Sequence, residues 1–593
     1  MLGTLRRCLV LLPAEMRARW AALVPLMVLG AVLEAASAAA IFALVRVVTD
    51  PLQASALPVL GPLLRRLPPL APATTIVLFA GLVGLFYAVK NGLGAVSVWA
   101  QARCVQDATA ATSVALVRGY LGAPWRFHLQ HASSDLVHDA HQAVERIYRS
   151  VMAPALGIVT EGLVALGIVA VLFAAAPVVT SVAVTALLAI SLLLLRLTRG
   201  ATVRLGARFD RLTATALRHV QQTLGAVKEL KVLGRERGPL AVYAADRRAL
   251  ADVGVRYGTL AALPRLVIET VFVAGALLVV MLLTARGGTA AETVPLLGLY
   301  AYAGFRVIPS ANRIVWMIAE IRYGSAAVDR VYRDVRALAA APPAVGGHLT
   351  FHDRLALERV SYGHGAGECV LHAVDLVVRR GECLGIVGPT GAGKSTLCDL
   401  LVGLLEPTEG RITVDGVDLR SCTAAWQRQL GYVPQTVSLL DDTLRRNVAL
   451  GVPDGEIDEP RLRTAIRLAE LEPLVATLPA GLDTLIGEAD VRVSGGERQR
   501  IGIARALYGE PRVLVFDEAT SALDGATETA LTDALRALRG LTMIIVAHRL
   551  TSVRHCDRLA VLHEGRIVDT GTIGDLERRS AEFRALAAMP GER

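Results

Sequence analysis

A glycine-rich stretch in the second half of the chain has the residue types and spacing that bind a phosphate chain. Three glycines precede a lysine and a hydroxyl residue, and the apolar run Cys383–Val387 before them predicts a buried strand. Glycines let backbone N–H groups approach phosphates closely, and the helix that follows adds its N-terminal dipole. We expect Lys394 to reach the β- and γ-phosphates and the Ser395 hydroxyl to bind Mg²⁺. The predicted loop comprises Gly388, Pro389, Thr390, Gly391, Ala392, Gly393, Lys394, Ser395 and Thr396.

A second apolar run, residues 513–516, ends in two acids, Asp517 and Glu518. A carboxylate at the end of a strand can hold Mg²⁺ directly or through water, so Asp517 is a predicted metal ligand. Glu518 is placed to polarise the attacking water. An isolated acidic pair after a strand is more often a solvated turn, but this pair accompanies a complete phosphate-binding loop. The pattern therefore predicts Mg²⁺-dependent hydrolysis of a nucleoside triphosphate.

A third motif lies between these two halves of the site and comprises Ser494, Gly495, Gly496 and Glu497. With it, residues 350–590 resemble an ATP-binding cassette (ABC) ATPase, with the family's motifs in their usual order. The resemblance implies ATP as the nucleotide, and a signature motif that contacts the γ-phosphate held by the opposite subunit. It also implies that Gln435 senses Mg²⁺ and the water, that His548 contacts the γ-phosphate, and that residues 521–524 touch the partner. Gln435 and His548 would then act with Glu518 in catalysis.

The chain departs from the usual family pattern at three places. The signature motif ends in Glu497, where glutamine is commoner. The aromatic ring that stacks on adenine is either Tyr362 or His364, and the sequence leaves both open. Residues 487–490, in the loop that the resemblance assigns to coupling between subunits, read Gly-Glu-Ala-Asp, where the family usually has Gly-Glu-Arg-Gly.

One cassette cannot complete such a site, because the signature motif serves the nucleotide of the other subunit. The chain has one phosphate-binding loop and one signature motif, and the residues assigned to catalysis are all present. A homodimer with twofold symmetry is the simplest expectation. A heterodimer with another half-transporter is the alternative.

The composition predicts a membrane domain before the ATPase. Hydrophobic residues make up 53% of the 593 positions and charged residues 19%, which is unusual for a soluble protein. Apolar runs of about 20 residues or more, long enough to cross a bilayer, occur early in the chain. We predict a transmembrane domain over 1–335, a linker over 336–348 and an α/β ATPase domain over 349–593. The six predicted spans are 20–46, 74–100, 153–175, 177–197, 258–284 and 292–318.

The positive charges indicate how the chain crosses the membrane. The net charge is +9, and arginines cluster between the apolar runs, as the positive-inside rule expects. We therefore expect no nucleic-acid partner. Residues 101–152 and 198–257 should be helical extensions in the cytosol, with tips near 125–134 and 231–240 that carry motion from the ATPase to the spans. The expected location is the inner (plasma) membrane, with the ATPase domain and its free cysteines in the reducing cytoplasm.

Six spans followed by a cassette resemble the exporter branch of the ABC family. The expected fold class is an α-helical six-span transmembrane domain plus a cytosolic α/β P-loop ATPase domain. Segments 29–34, 226–236, 263–269 and 305–310 also resemble bacterial flippases of lipid-linked oligosaccharides. The resemblance implies ATP-driven export or flipping of a lipid-linked oligosaccharide or polysaccharide precursor. The alternative is efflux of drugs, lipids or hydrophobic peptides.

Cations inside the spans give this substrate a physical basis. A charge in a span is costly and normally faces a partner or a watery cavity. Facing a cavity, such cations could bind a pyrophosphate headgroup. The other interpretation is that they pair with Glu34, Glu161 and Glu269, the last of which lies four residues after Arg265. The candidate residues for substrate binding are Lys90, Arg265, Arg306 and Arg313.

Overall fold

The structure is a computed structural model, and its contacts divide the chain into two compact units. One unit comprises Met1–Ala123 and Phe127–Ala341, and the other comprises Pro124–Arg126 and Pro342–Arg593. The domain boundaries predicted at 335 and 349 stay predictions. The structure describes residues 2–49, 72–175, 177–285, 290–340, 349–363, 369–487, 493–518, 540–547 and 549–588.

The first unit is helical, as its long apolar runs predict. Two of its longest helices begin at a proline, a residue that suits the first helical turn because the N–H it lacks has no partner there. The predicted cytosolic extensions are helical as well, which confirms that part of the sequence interpretation. The helices are Leu2–Leu11, Ala14–Thr49, Pro72–Leu121, Trp125–Gln130, Ser133–His138, Val144–Arg146, Ala153–Ala175, Pro177–Gly225, Val227–Leu233, Arg237–Ala285 and Ala290–Ala340, with π-helical turns at Asp139–Ala143 and Ile147–Met152.

Five helical stretches among the described residues are long and apolar enough to cross a membrane: Ala14–Ile41, Ile76–Leu121, Ser133–Val171, Thr180–Gly225 and Arg237–Gly275. They contain the first five predicted spans or most of each. The sixth predicted span, 292–318, falls in the helix Ala290–Ala340, where many side chains lie outside the described part. That helix continues to Ala340, into the segment predicted as linker.

The second unit is an α/β domain with two main sheets among its described residues. The strands are β1 (Arg354–Gly363), β2 (Cys369–Arg379), β3 (Cys383–Val387), β4 (Glu409–Val414), β5 (Val417–Asp418), β6 (Leu430–Val433), β7 (Asp442–Thr443), β8 (Leu485–Ile486), β9 (Val513–Asp517), β10 (Thr542–Val546), β11 (Arg558–His563) and β12 (Arg566–Gly571). An antiparallel sheet has the order β2-β1-β4-β5, and a larger sheet has the order β12-β11-β3-β10-β9-β6. Strands β7 and β8 form a separate pair.

Helices and short 3₁₀ turns surround these sheets. The helices are Lys394–Leu401, Thr423–Gln427, Leu444–Val448, Glu459–Leu468, Glu472–Thr477, Gly495–Tyr508, Leu550–Val553, Ile573–Arg579 and Ala581–Ala587. The 3₁₀ turns are Leu419–Ser421, Asp454–Glu456 and Gly481–Asp483.

The larger sheet positions the predicted site. Strands β3, β9 and β10 are buried along their whole length, which explains why each reads as a continuous apolar run. Strand β10 lies between the other two and pairs with both in parallel, so that Val546 is level with Ile386 on one side and Asp517 on the other. The loop after β3 and the acids after β9 therefore meet at the carboxyl edge of the sheet, where open α/β sheets bind ligands.

Candidate nucleotide-binding and hydrolysis site

The loop after β3 has a backbone that only glycine accommodates at several positions. Gly391 and Gly393 have φ angles of +83° and +98°, in the left-handed region that disfavours side chains. Gly388 has a different constraint, because a Cβ atom there would lie 2.1 Å from the carbonyl oxygen of Leu562. The loop is thus a compact turn with its backbone exposed to a ligand, and it leads directly into the helix Lys394–Leu401.

Lys394 lies under this turn. Its side chain is buried, and its Nζ donates hydrogen bonds to the carbonyl oxygens of Gly388, at 2.8 Å, and Pro389, at 3.1 Å. A buried ammonium group held by neutral carbonyls is an attractive partner for a phosphate, because charge-assisted hydrogen bonds are stronger than bonds to neutral acceptors. The Ser395 hydroxyl follows at the exposed N-terminal turn of the same helix.

Asp517 ends β9 and is almost fully buried. Its Oδ2 atom is 3.4 Å from the hydroxyl of Tyr432, which lies in β6. Burial, together with the nearby Cys398 and Asp517, raises the pKa of Tyr432, so that its hydroxyl stays protonated and donates to the carboxylate. A carboxylate and a hydroxyl are hard oxygen ligands of the kind that Mg²⁺ prefers, so Asp517 and Ser395 fit the predicted metal.

Glu518 and Gln435 are in direct contact. The Gln435 Nε2 atom donates a hydrogen bond of 2.7 Å to Glu518 Oε2. The backbone of Glu518 has a φ angle of +54°, which is unusual for a residue with a Cβ, and its N–H donates to the carbonyl oxygen of Val546 at 2.9 Å. The two side chains come from different parts of the sequence and meet beside Asp517, where a water molecule could be polarised.

The signature motif caps the helix Gly495–Tyr508. The Ser494 hydroxyl accepts a hydrogen bond from the N–H of Glu497 at 3.2 Å, and the Glu497 carboxylate accepts one from the N–H of Ser494 at 2.6 Å. This reciprocal pair is a capping box, which either glutamate or glutamine can complete. The departure at Glu497 therefore keeps the local structure of the motif. A Cβ atom on Gly495 would have no neighbour within 4 Å, so the start of this helix is open to an incoming group.

Some predicted site residues are not placed in this arrangement. His364, His548 and residues 521–524 lie outside the described part of the chain, as do residues 488–490. Tyr362 is 6% exposed and packs in the apolar cluster beside the antiparallel sheet, so it does not present a ring to solvent. Which ring contacts adenine stays a prediction.

Two of the predicted substrate-binding cations have carboxylate partners. Lys90 Nζ is 2.6 Å from Glu34 Oε2, and Arg313 holds Glu161 through two contacts, of 2.7 Å and 3.0 Å. Among the described residues, no carboxylate lies within salt-bridge distance of Arg265, although Glu269 is four residues away on the same helix. The Arg306 side chain lies outside the described part.

The hydrogen bond from Tyr432 to Asp517 was not predicted from the sequence, although Tyr432 lies only three positions before Gln435. The sequence shows only a tyrosine in a short apolar strand, and a tyrosine in that setting is usually a packing residue. Only the pairing of β6 with β9 shows that its hydroxyl reaches the Asp517 carboxylate.

Comparisons with known proteins agree with this arrangement. A family model described as "ABC transporter" matches residues 371–521. This range contains the phosphate-binding loop, Gln435, the signature motif and the two acids after β9.

Two curated relatives illustrate the range of similar proteins. A mycobactin import ATP-binding/permease protein of Mycolicibacterium smegmatis is 44% identical over 256 residues, which is 42% of this chain and 44% of that protein. An ATP-dependent lipid A-core flippase of Cupriavidus metallidurans is 33% identical over 393 residues, 65% of each chain. The matched stretches thus span between 44% and 65% of these relatives.

A solved structure resembles nearly the whole chain. The structure of a bacterial Atm1-family ABC exporter with ATP bound matches with a TM-score of 0.80 and 25% sequence identity. The match covers 98% of this chain and 100% of that one.

Proposed function

We propose that this chain hydrolyses ATP to drive a substrate across a membrane. The proposal follows from its membership of the ABC transporter family and from the exporter fold that the sequence predicted. The observation that supports this most directly is the contact between Gln435 and Glu518 beside Asp517, at the edge of the sheet where the phosphate-binding loop begins. Five candidate spans among the described residues supply the membrane part. The inner membrane, with the ATPase in the cytoplasm, is the proposed location.

In the proposed reaction each group at the sheet edge has one task. Lys394 exchanges its carbonyl partners for the β- and γ-phosphates. Ser395 and Asp517 would hold Mg²⁺, and the bound ion would supply positive charge that neutralises the phosphates. Gln435 orients the Glu518 carboxylate, and Glu518 accepts a hydrogen bond from the attacking water and draws its proton away from the oxygen. His548 is proposed to contact the γ-phosphate, as the family resemblance implies.

Two chains are proposed to form the transporter. The signature motif of one chain would cover the phosphates bound to the loop of the other, and the open N-terminus of the helix Gly495–Tyr508 suits that contact. A homodimer needs no other component, because one chain supplies both halves of the site. A heterodimer with another half-transporter stays the alternative.

The proposed substrate is an anionic lipid, most specifically a lipid-linked oligosaccharide or polysaccharide precursor. Similarity to the lipid A-core flippase supports this choice, because the alignment of 393 residues is longer than residues 342–593 and so extends into the helical unit. A flippase must hold an anionic headgroup in an apolar setting, which requires cations within the spans.

The ion pairs of the helical unit modify the role first predicted for the cations. Lys90 and Arg313 are held by Glu34 and Glu161, so an anionic headgroup would have to displace a carboxylate from each. Arg265 is exposed and has no salt-bridge partner among the described residues. We therefore place the first headgroup contact at Arg265, with the paired cations as later partners.

A second candidate substrate is a molecule of the mycobactin type. The mycobactin import protein of Mycolicibacterium smegmatis supports it through 44% identity over 256 residues. That alignment covers less of this chain than the flippase alignment does, so the glycolipid is the first choice. Efflux of drugs or hydrophobic peptides by the same ATPase is the remaining alternative.

The test is transport in proteoliposomes that contain the full chain and a fluorescent polyprenyl-pyrophosphate oligosaccharide. We expect the label to change leaflet when ATP is added, and to stay in place with the Glu518→Gln variant. Parallel vesicles carry mycobactin or a hydrophobic cation in place of the glycolipid. ATP hydrolysis without movement of the glycolipid would leave the ATPase proposal intact and refute the substrate.

A matched pair of variants tests the headgroup contact. Arg265→Ala removes the proposed contact, whereas Arg256→Ala removes another exposed cation of the same helix, outside the predicted span 258–284. We expect Arg265→Ala alone to raise the glycolipid concentration at half-maximal flipping, with basal ATP hydrolysis unchanged in both. Equal effects of the two variants would show that Arg265 has no special role.

A further inference from the structure

Two cysteines that are far apart in the sequence meet in the ATPase unit. Cys383 begins β3, and Cys556 lies just before β11, yet their sulfur atoms are 3.2 Å apart. Neither cysteine forms a disulfide in this structure. Cys383 is buried, while Cys556 is partly exposed and packs at the edge of the apolar core. The two thiols therefore form a close pair that solvent reaches from the Cys556 side.

The surrounding backbone holds this pair in place. The N–H of Cys383 donates to the Asp557 carboxylate at 2.8 Å, and the N–H of Asp557 donates to the carbonyl oxygen of Cys383 at 2.9 Å. Beside them, Arg558 Nε is 2.7 Å from Glu382 Oε1 in a half-buried salt bridge. Since these contacts join the starts of two neighbouring strands, the thiols stay close for as long as the sheet is folded.

We propose that Cys383 and Cys556 are an oxidation site that closes to a disulfide when the cell meets peroxide. The sulfur of Cys556 attacks the peroxide, loses two electrons to it and becomes a sulfenic acid, and one water is released. Cys383 then attacks the sulfenic sulfur, the S–S bond forms, and the second water leaves. Both thiol protons end in the two waters. Two thiols of a cellular reductant reverse the step: they supply two electrons and two protons to the S–S bond and become a disulfide themselves.

The position of the bond determines its effect. Cys383 lies at the amino end of β3, and the phosphate-binding loop follows the other end, so the bond forms away from the phosphates. The loop closed by the bond nevertheless contains Lys394, Glu518 and the other residues of the proposed hydrolysis site. A disulfide that closes a long loop limits the unfolded chain most. The bond should therefore stabilise the ATPase unit and leave ATP hydrolysis unchanged.

The other thiols of the unit provide internal comparisons. Burial raises the pKa of Cys398 well above its usual value, so this thiol should resist oxidation. Cys369 is exposed and its Sγ contacts only the carbonyl oxygen of Leu371, at 3.0 Å, among the contacts described for it. It should react with peroxide at least as fast as Cys556, without an intramolecular partner nearby.

The experiment treats the full chain, purified in detergent, with hydrogen peroxide and maps its peptides by mass spectrometry without reduction. We expect a cross-linked peptide pair that contains Cys383 and Cys556 and disappears after dithiothreitol. The unfolding midpoint of the ATPase unit should rise by about 5 °C in the oxidised protein. ATP hydrolysis should stay at its starting rate.

Variants distinguish disulfide formation between Cys383 and Cys556 from general oxidation of thiols. Cys556→Ala should abolish both the cross-link and the rise in the midpoint, and Cys383→Ala is the second variant if the first fails to fold. Cys369→Ala is the matched control and should keep both effects. The proposal is overturned if peroxide converts Cys556 to a sulfinic acid without the cross-link, or if the cross-linked chain unfolds at the same or a lower temperature.

Discussion

Glu518 combines a strained backbone with the position where hydrolysis would occur. Its φ angle of +54° is in a region that costs a side-chain-bearing residue about 1–3 kcal/mol. The N–H bond to Val546 and the side-chain bond from Gln435 hold it there. Such strain persists where the surrounding structure fixes a functional geometry. Here the left-handed backbone at Glu518 directs the carboxylate away from the direction of β9 and toward Gln435.

The residue-scale prediction is that Glu518→Gln blocks hydrolysis and spares ATP binding. Glutamine keeps the shape of the side chain and the backbone angle, but it cannot accept the proton of the attacking water. We expect the hydrolysis rate to fall by roughly 10²-fold or more, the usual contribution of a general base. Phosphate release and the binding of a fluorescent ATP analogue measure the two effects separately.

Glu510→Gln is the matched control for this prediction. Glu510 has a φ angle of +49° and its carboxylate contacts Arg461 at 3.3 Å, on the surface. The same chemical change at a glutamate with the same backbone conformation should leave hydrolysis unaffected. A comparable loss in both variants would mean that the effect is not specific to the Glu518 carboxylate.

At the scale of elements, a cluster of charged side chains joins three helical segments of the first unit. Asp139 contacts His138 at 3.0 Å and Arg330 at 3.3 Å. Asp210 lies between two arginines, with Arg146 at 3.7 Å and Arg330 at 3.8 Å. The π-helical turns on either side of Val144–Arg146 belong to the same region. Such turns often mark functional positions in helices.

We predict that Asp210→Asn destabilises this unit by about 1–2 kcal/mol, because it leaves two arginines with one carboxylate. This loss in the free energy of unfolding is smaller than the loss expected for a fully buried ion pair, because both arginines keep some contact with solvent. The measurement is the thermal unfolding midpoint of the detergent-solubilised chain. Glu145→Gln, in an exposed pair with Arg149, is the control and should cause no measurable change. No shift with Asp210→Asn would mean that the cluster is not stabilising.

The sequence predicted elements well and contacts between distant elements poorly. Strand β3 and the helical extensions were predicted correctly, because a continuous apolar run or a helical apolar spacing is visible within one segment. Family resemblance implied a role for Gln435 in catalysis beside Glu518, but the contact between their side chains was not predicted. The pairing of Cys383 with Cys556 and the bond from Tyr432 to Asp517 were not predicted at all. These depend on strand order, which no local pattern in the sequence encodes.

At the scale of the whole molecule, the proposed site needs two chains, and this can be tested with complementary defects. Lys394→Ala removes the phosphate partner in the loop. Gly495→Asp places a negative charge where the partner's phosphates would approach. The Gly495 change should leave the folded chain intact, because a Cβ there has no neighbour within 4 Å and aspartate is favourable in the first turn of a helix.

We predict that dimers containing one chain of each variant bind ATP tightly at one of their two sites, while each variant alone binds at neither. In the mixed dimer the Gly495→Asp chain contributes an intact loop and the Lys394→Ala chain contributes an intact signature motif. Both chains also carry Glu518→Gln, so that bound ATP is not hydrolysed and the result does not depend on cooperation between sites. Differently tagged chains are purified in tandem, and retained ATP is counted per dimer. If the site lay within one chain, every chain in the mixture would be defective and no ATP would be retained. Retention of one ATP per mixed dimer therefore requires that the loop and the signature motif come from different chains.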